Sequence, residues 1–308
     1  MKKSLPVLFL IWLLFWLFWY RTACSVAEEI RFVDDTGKVV QLSKPAQRVV
    51  PLYGAFLEML FAIGAGHHVV ARTKADAYFE PALSLPSVGT HMKPNVELII
   101  SLQPDLVIAT VAQERRCPEL ARIADAGIPV AAFAPKNFEM IFNTMKRLGI
   151  AVGMLEEAET TVNNLRKKLK NVRSHAARLG RKYTVFYEVR KSPLTAAGRA
   201  SIVNEILSVA GLVNIVDVNK KLVQYSVEAL LAKDPDFYIV QRGPMNPHPG
   251  SLDKRPHFRL LRAVREGRII VVDEFLFSRP GPRCVKAAEL LVSEIYKRLP
   301  DMKAAASR

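Results

Sequence analysis

The sequence predicts an α/β protein of two Rossmann-like lobes with mostly parallel sheets, joined by a single long helix. Three observations carry that prediction. Short β-branched runs alternate with amphipathic helical stretches, a block of the first half recurs in the second, and one long helical stripe separates the halves. A chain of 308 residues is long for one core and comfortable for two. Half of the residues are hydrophobic, 24% are charged, and glycine and proline are scattered, which excludes a disordered or low-complexity chain.

Residues 1–27 read as a signal peptide. Lys2 and Lys3 precede an apolar run from Leu5 to Tyr20, and Ser25-Val26-Ala27 supplies the small residues of a cleavage site. That run of 16 residues falls short of the roughly 20 needed to span a membrane. Two other readings stay open. Thr22-Ala23-Cys24 resembles part of a lipobox, which would anchor the chain through Cys24, and Arg21 could flank an uncleaved anchor. The expected location is the periplasm. Cys117 and Cys284 then remain; nothing in the sequence pairs them, and a lone helical cysteine reads as packing.

The formal charge of +15 becomes +12 once Lys2, Lys3 and Arg21 are removed. Export argues against a nucleic-acid partner, and the basic residues are dispersed. The densest run, Arg166 to Lys170, reads as the solvated face of a helix. The charge favours an anionic ligand or residence near an anionic membrane surface.

After a lead segment at 28–47, the first lobe occupies 48–153. Strands are expected near Arg48 to Tyr53, Val69 to Arg72, Asp105 to Thr110 and Pro129 to Ala134. A strut helix follows at 154–180. Its apolar stripe is Leu155, Ala158, Val162, Leu165, Leu169, Val172, Ala176 and Leu179, with Gly180 placed as a C-terminal cap. The second lobe, 181–308, has strands expected near Tyr183 to Val189, Asp236 to Arg242 and Arg268 to Asp273. The duplication is explicit: NVELIISLQPDLVIAT at 95–110 matches SVEALLAKDPDFYIVQ at 226–241. Glu58-Met59-Leu60 with Gly64 likewise matches Glu205-Ile206-Leu207 with Gly211. In parallel sheets of this kind ligands bind outside the carboxyl ends of the strands.

The competing class is an enzyme on the same two-lobed fold, acting on a small anionic or metal-chelating substrate. It would need a GxGxxG loop after a strand, a P-loop, a GxSxG elbow or an HExxH helix, and none occurs. Gly64-Ala65-Gly66 follows a helix and reads as its end. His67 and His68 flank that turn and are expected at the surface. The histidines make no metal cluster, so no catalytic residue, no metal site and no resident cofactor is expected.

RVVPLYGAFLEMLFAIGAG, SVGTHMKPNVELIISLQPDLVIAT and LLRAVREGRIIVVDEFLFSRPGPR resemble, in order, blocks of the periplasmic substrate-binding proteins of cobalamin, iron-siderophore and haem ABC importers. The resemblance covers about residues 48 to 300. It implies a carrier, monomeric when free, that holds a metal chelate between two lobes on a rigid helix and delivers it to a permease dimer in the inner membrane. Glu97 and Glu228 fall two residues into helices capped by Asn95 and Ser226, where the helix dipole already favours a carboxylate. The resemblance implies that these glutamates dock onto permease arginines. On the ligand side, loops after the strands carry aromatic and cationic residues, among them Tyr53, Lys136, Arg190, Tyr225 and Arg242. Tyr78, His91, Arg199, Phe277 and Arg279 are the expected cleft residues, aromatics for a flat ligand and arginines for its acids. The place of His91 in a tryptophan's position weakens cobalamin as the cargo, and a histidine there could ligate haem iron. The expected order is iron-siderophore, haem, cobalamin.

Overall fold

Residues 29–299 are described by the structure, a computed structural model. The signal peptide, its cleavage site and Cys24 lie outside the described residues. Within them no helix is long and apolar enough to cross a membrane.

The lead segment is a hairpin of β1 (Ile30–Val33) and β2 (Val39–Leu42). Asp34 closes its turn by accepting from the Thr36 and Lys38 amides at 2.9 and 3.1 Å. Asp34 and Asp35 also accept from the Ala132 and Ala134 amides, and Arg147 holds Asp35 at 2.7 Å. The hairpin thereby covers an open sheet edge that would otherwise invite pairing.

That edge belongs to the first lobe. β3 (Val49–Pro51) leads into α1 (Gly54–Ala62). A small hairpin of β4 (Gly89–Thr90) and β5 (Lys93–Pro94) delivers α2 (Val96–Ser101). β6 (Leu106–Thr110) is followed by α3 (Val111–Arg116) and α4 (Pro118–Asp125), and β7 (Val130–Phe133) by α5 (Phe138–Val152). The sheet is parallel in the order β3-β6-β7. The strand expected at 69–72 is reduced to single bridges, Val49 to Val69 and Arg72 to Ser87. The chain turns away at once because Thr73 and Asp76 form a capping box that starts a short 3-10 turn.

α6 (Leu155–Ala177) is the strut. At about 1.5 Å per residue its 23 positions run about 35 Å. It buries Ala158, Val162, Leu169, Val172 and Ala176, and each buried valine or leucine contributes about 1.5–3 kcal/mol. Gly153 and Gly180, both at positive φ (74° and 73°), mark the bends before and after it.

The second lobe continues through β8 (Tyr183–Arg190), β9 (Thr195–Ala197), α7 (Ile202–Val209), β10 (Leu212–Asn214) and β11 (Leu222–Gln224). Then come α8 (Val227–Lys233), β12 (Phe237–Arg242), α9 (Arg262–Arg265), β13 (Ile269–Asp273), α10 (Glu274–Phe277) and α11 (Cys284–Arg298). β10 and β12 pair in parallel with β8, and β13 with β12, while β9 pairs antiparallel with β8 and β11 antiparallel with β9. Both lobes are α/β, and the duplicated block has a shared task. The Asp105 carboxylate accepts from the Gln47 and Arg48 amides ahead of β3, and that of Asp236 from the Thr184 amide in β8. Each Pro-Asp pair thus ties the start of its own strand to the neighbouring one.

One core cluster runs through both lobes, joining Leu106 and Ile108, the strut's buried stripe, and Tyr187, Ile239 and Leu291. Two smaller clusters pack the outer faces of the sheets. Cys117 and Cys284 are free and buried.

Candidate ligand cleft

The carboxyl ends of β3, β6 and β7 open onto a cleft that the second lobe closes from the other side. It has two chambers, of about 470 and 460 Å3, which share Tyr53, His91, Ile202 and Lys221 in their walls. Such volumes fall in the range of small-molecule sites.

His91 sits where the chambers meet, its ring 6.5 Å from that of Tyr53. Its loop is fastened by Gln113. The side-chain amide of Gln113 donates to the carbonyls of His91 (2.5 Å) and Leu52 (3.2 Å), while its oxygen accepts from the Thr110 amide at 2.7 Å. The capping-box spacing from Thr110 to Gln113 was readable in the sequence, but not its reach to the His91 loop. Burial lowers the His91 pKa, helped by the positive charge of Arg279 nearby. Burial pushes the Tyr53 hydroxyl up to about 12, so it stays protonated at neutral pH.

Besides Arg279, described below, three cations line the cleft: Arg116 and Lys136 from the first lobe and Lys221 from the second. Among the described residues no ion pair engages any of them. Lys221 is exposed, yet the walls on either side desolvate its ammonium and lower its pKa. On the second-lobe side Phe275, Met245 and Ile202 give apolar surface, and Glu274 holds the Met245 amide at 2.8 Å. This is a place for a flat or bulky ligand with acidic edges.

Arg279 has two positions to serve. It lines the second chamber and also crosses to the first lobe, pairing with the fully buried Asp76 at 3.0 Å. Its guanidinium lies over Tyr78 (4.3 Å) and Phe275 (4.7 Å), which stack on each other at 4.4 Å. Next to this, Tyr78 donates to Glu58 at 2.5 Å and Arg283 pairs with Glu58 at 3.2 Å. Burial raises the Glu58 pKa, against the pull of the Tyr78 hydroxyl and of Arg283. Gly54 leaves room for this pair: a Cβ there would lie 1.9 Å from the Arg279 guanidinium and 2.5 Å from Asp76, so a larger residue would displace the two side chains. The SRPGPR loop is therefore an inter-lobe brace as well as a cleft wall.

Of the five expected cleft residues, His91 and Arg279 line the chambers. Tyr78 lies in the brace beside them, sandwiched by Phe275. Arg199 does not line either chamber; it is half-exposed and pairs with Asp217 at 3.0 Å, while its neighbour Ala200 faces the cleft. Phe277 is a correction. It is only 2% exposed and packs in the core against Tyr187, because the single turn of α10 sends Phe275 to the cleft and Phe277 inward. His68 is corrected as well: it is buried, under the turn expected to expose it. Among the described residues no group of three or more metal-ligating side chains is gathered.

Glu97 and Glu228 occupy equivalent places. Asn95 and Ser226 cap their helices by accepting from the Leu98 and Ala229 amides at 3.0 and 3.1 Å. Both glutamates are exposed, and Glu97 meets Arg122 at 2.8 Å. Bonding from its own backbone amide and from Arg122 lowers its pKa.

Two α/β lobes on one continuous helix, with a preformed cleft at the strand ends, define a ligand-binding protein. The chain belongs to the periplasmic binding protein family, whose profile matches residues 49–275. It is 28% identical over 268 residues to an uncharacterized ABC transporter substrate-binding lipoprotein of Bacillus subtilis, covering 85% of this chain and 84% of that one. It is 27% identical over 247 residues to the vitamin B12-binding protein of Vibrio cholerae, covering 80% and 87%. Among solved structures, the periplasmic heme-binding protein RhuT of Roseiflexus sp. RS-1 superposes with a TM-score of 0.71 at 26% identity, over 82% of this chain and 99% of that one. These relatives are binding proteins, not enzymes.

Proposed function

We propose that this chain is the extracytoplasmic carrier of an ABC importer, and that it captures an anionic metal chelate between its lobes and carries it without chemical change. The observation that carries this reading is the set of Arg116, Lys136 and Lys221, free of ion pairs among the described residues, in a cleft that also offers the aromatic and apolar surface of Tyr53, Phe275, Met245 and Ile202. Acidic groups on the rim of a chelate match those cations, and Tyr53, Phe275 and Met245 match its body. Iron-siderophores and haem fit the cationic walls better than cobalamin does. The names of the relatives keep haem and cobalamin in view.

All three tryptophans lie at positions 12, 16 and 19, ahead of the expected cleavage site. A titration of the processed chain therefore reads tyrosine emission, and Tyr53 is inside the cleft. Haem, ferric siderophores and cobalamin should be compared by that quenching and by equilibrium dialysis. Lys221→Gln combined with Arg116→Gln should weaken the preferred chelate about tenfold or more, as expected for two lost charge-assisted bonds. Absence of binding by all three classes would sink the reading.

Delivery is assigned to Glu97 and Glu228. Reversing both to lysine should abolish uptake and leave chelate affinity unchanged; a loss of affinity would show that they serve the cleft instead.

A further inference from the structure

Between Glu159 and Glu188 the chain contains no acidic residue and eight basic ones: Arg166, Lys167, Lys168, Lys170, Arg173, Arg178, Arg181 and Lys182. The next longest acid-free interval among the described residues, from Asp35 to Glu58, holds three basic residues, Lys38, Lys44 and Arg48, so a run of eight stands out. All eight are exposed. Only Arg166, with Glu139, and Arg181, with Asp236, take part in ion pairs among the described residues. Glu205 and Glu289 stand in grooves at the margins of this surface, and neither is in an ion pair.

The placement follows from the helix. The strut buries Val162, Leu169, Val172 and Ala176 on one side. At about 3.6 residues per turn, Lys167, Lys170 and Arg178 project opposite that stripe, with Lys168 and Arg173 on its two flanks. The exposed positions between them are Asn163, Asn164, Asn171, Ser174, His175 and Ala177, and the methyl of Ala177 is the one apolar group among them. The result is a long cationic band without an apolar anchor, and helix capping does not account for it. Lys167 to Lys170 stand mid-helix, where the dipole has little hold.

We infer that this face of the strut is an electrostatic docking surface for an anionic phospholipid bilayer. A straight helix presents several charges to a plane at once. Each lysine or arginine held near an anionic surface contributes about a fivefold gain in partition. With no apolar side chain larger than that of Ala177 between the cations, the contact is reversible and salt-sensitive, not an insertion. It would concentrate the carrier at the membrane between deliveries while leaving the cleft and the two outer glutamates free.

The test uses the full chain and two sets of vesicles, phosphatidylcholine alone and an equal mixture with phosphatidylglycerol. Any apolar association is common to both sets, so the readout is the ratio of the two partition coefficients. That ratio should exceed about tenfold at about 50 mM salt and collapse at about 500 mM. The variant Lys167→Gln, Lys170→Gln, Arg173→Gln, Arg178→Gln should lose most of it while keeping its melting temperature. A control of equal net charge, Lys38→Gln, Lys233→Gln, Lys254→Gln, Arg259→Gln, should retain it. A ratio near one for the unaltered chain would overturn the inference. So would equal losses in both variants, which would mean that net charge and not this face sets the affinity.

Discussion

At the scale of single residues, the brace is the most testable feature. Asp76 is fully buried, and its partner Arg279 reaches it from the other lobe. Removing one member of a buried pair strands the other, so Arg279→Ala is expected to cost about 3–5 kcal/mol in urea unfolding. A loss below about 1 kcal/mol would mean that the pair is solvated and weak. Buried His68 and half-buried His91 add a pH dependence. Burial lowers the pKa of His91 with help from Arg279, and that of His68 with help from His67. The unfolded chain then binds more protons as pH falls past about 6.5, so the stability these groups give is present above that value and lost below it. Glu58, raised by burial, acts in the opposite sense. The useful comparison is therefore between the unaltered chain and His68→Gln with His91→Gln: the double variant should lose less stability between pH 7.5 and 5.5. An identical slope would remove both histidines from the account.

Among elements, the strut and its partner α5 make a prediction against helix propensity. Gly149 lies within α5, where alanine would ordinarily be better by about 1 kcal/mol. Here a Cβ would come 2.6 Å from that of Ala158 and 2.8 Å from the Met154 carbonyl. Gly149→Ala should therefore destabilise, by about 1–3 kcal/mol, and a rise in melting temperature would contradict this packing. The strut itself was legible from its three-and-four spacing, although Leu155 at the head of the stripe is exposed and Leu179 lies just past the last helical residue. So were β6, β7 and β12, which are short buried runs, β13, which alternates buried and exposed positions, and the Asn95 and Ser226 caps. Strands β9 and β11 were not, because three residues of antiparallel pairing leave too little periodicity to read. The cleft was half legible. Strand ends pointed to its location, but Lys221 and Phe275 take their positions from the approach of the other lobe, and Gln113 from the Leu52 and His91 loops of its own lobe, and no local pattern encodes either. Phe277 failed for a related reason: in a single helical turn, two aromatic residues two positions apart face nearly opposite ways.

For the whole molecule, a continuous helix, a core shared by both lobes and two cross-lobe ion pairs all resist hinge closure. Solution scattering should show no measurable compaction when the cleft fills; a clear fall in radius of gyration would require a hinge that this architecture does not offer. The brace has a further consequence for traffic. If the lobes hold one spacing whether or not cargo is aboard, empty and laden carriers show the same silhouette to the importer. Returned empties would then occupy the dock as readily as full ones. Uptake should rise with carrier concentration only while cargo is abundant, and a surplus of unloaded carrier should slow it. Adding unloaded protein to vesicles bearing the importer tests this directly, and undiminished uptake would show that the dock tells the two apart.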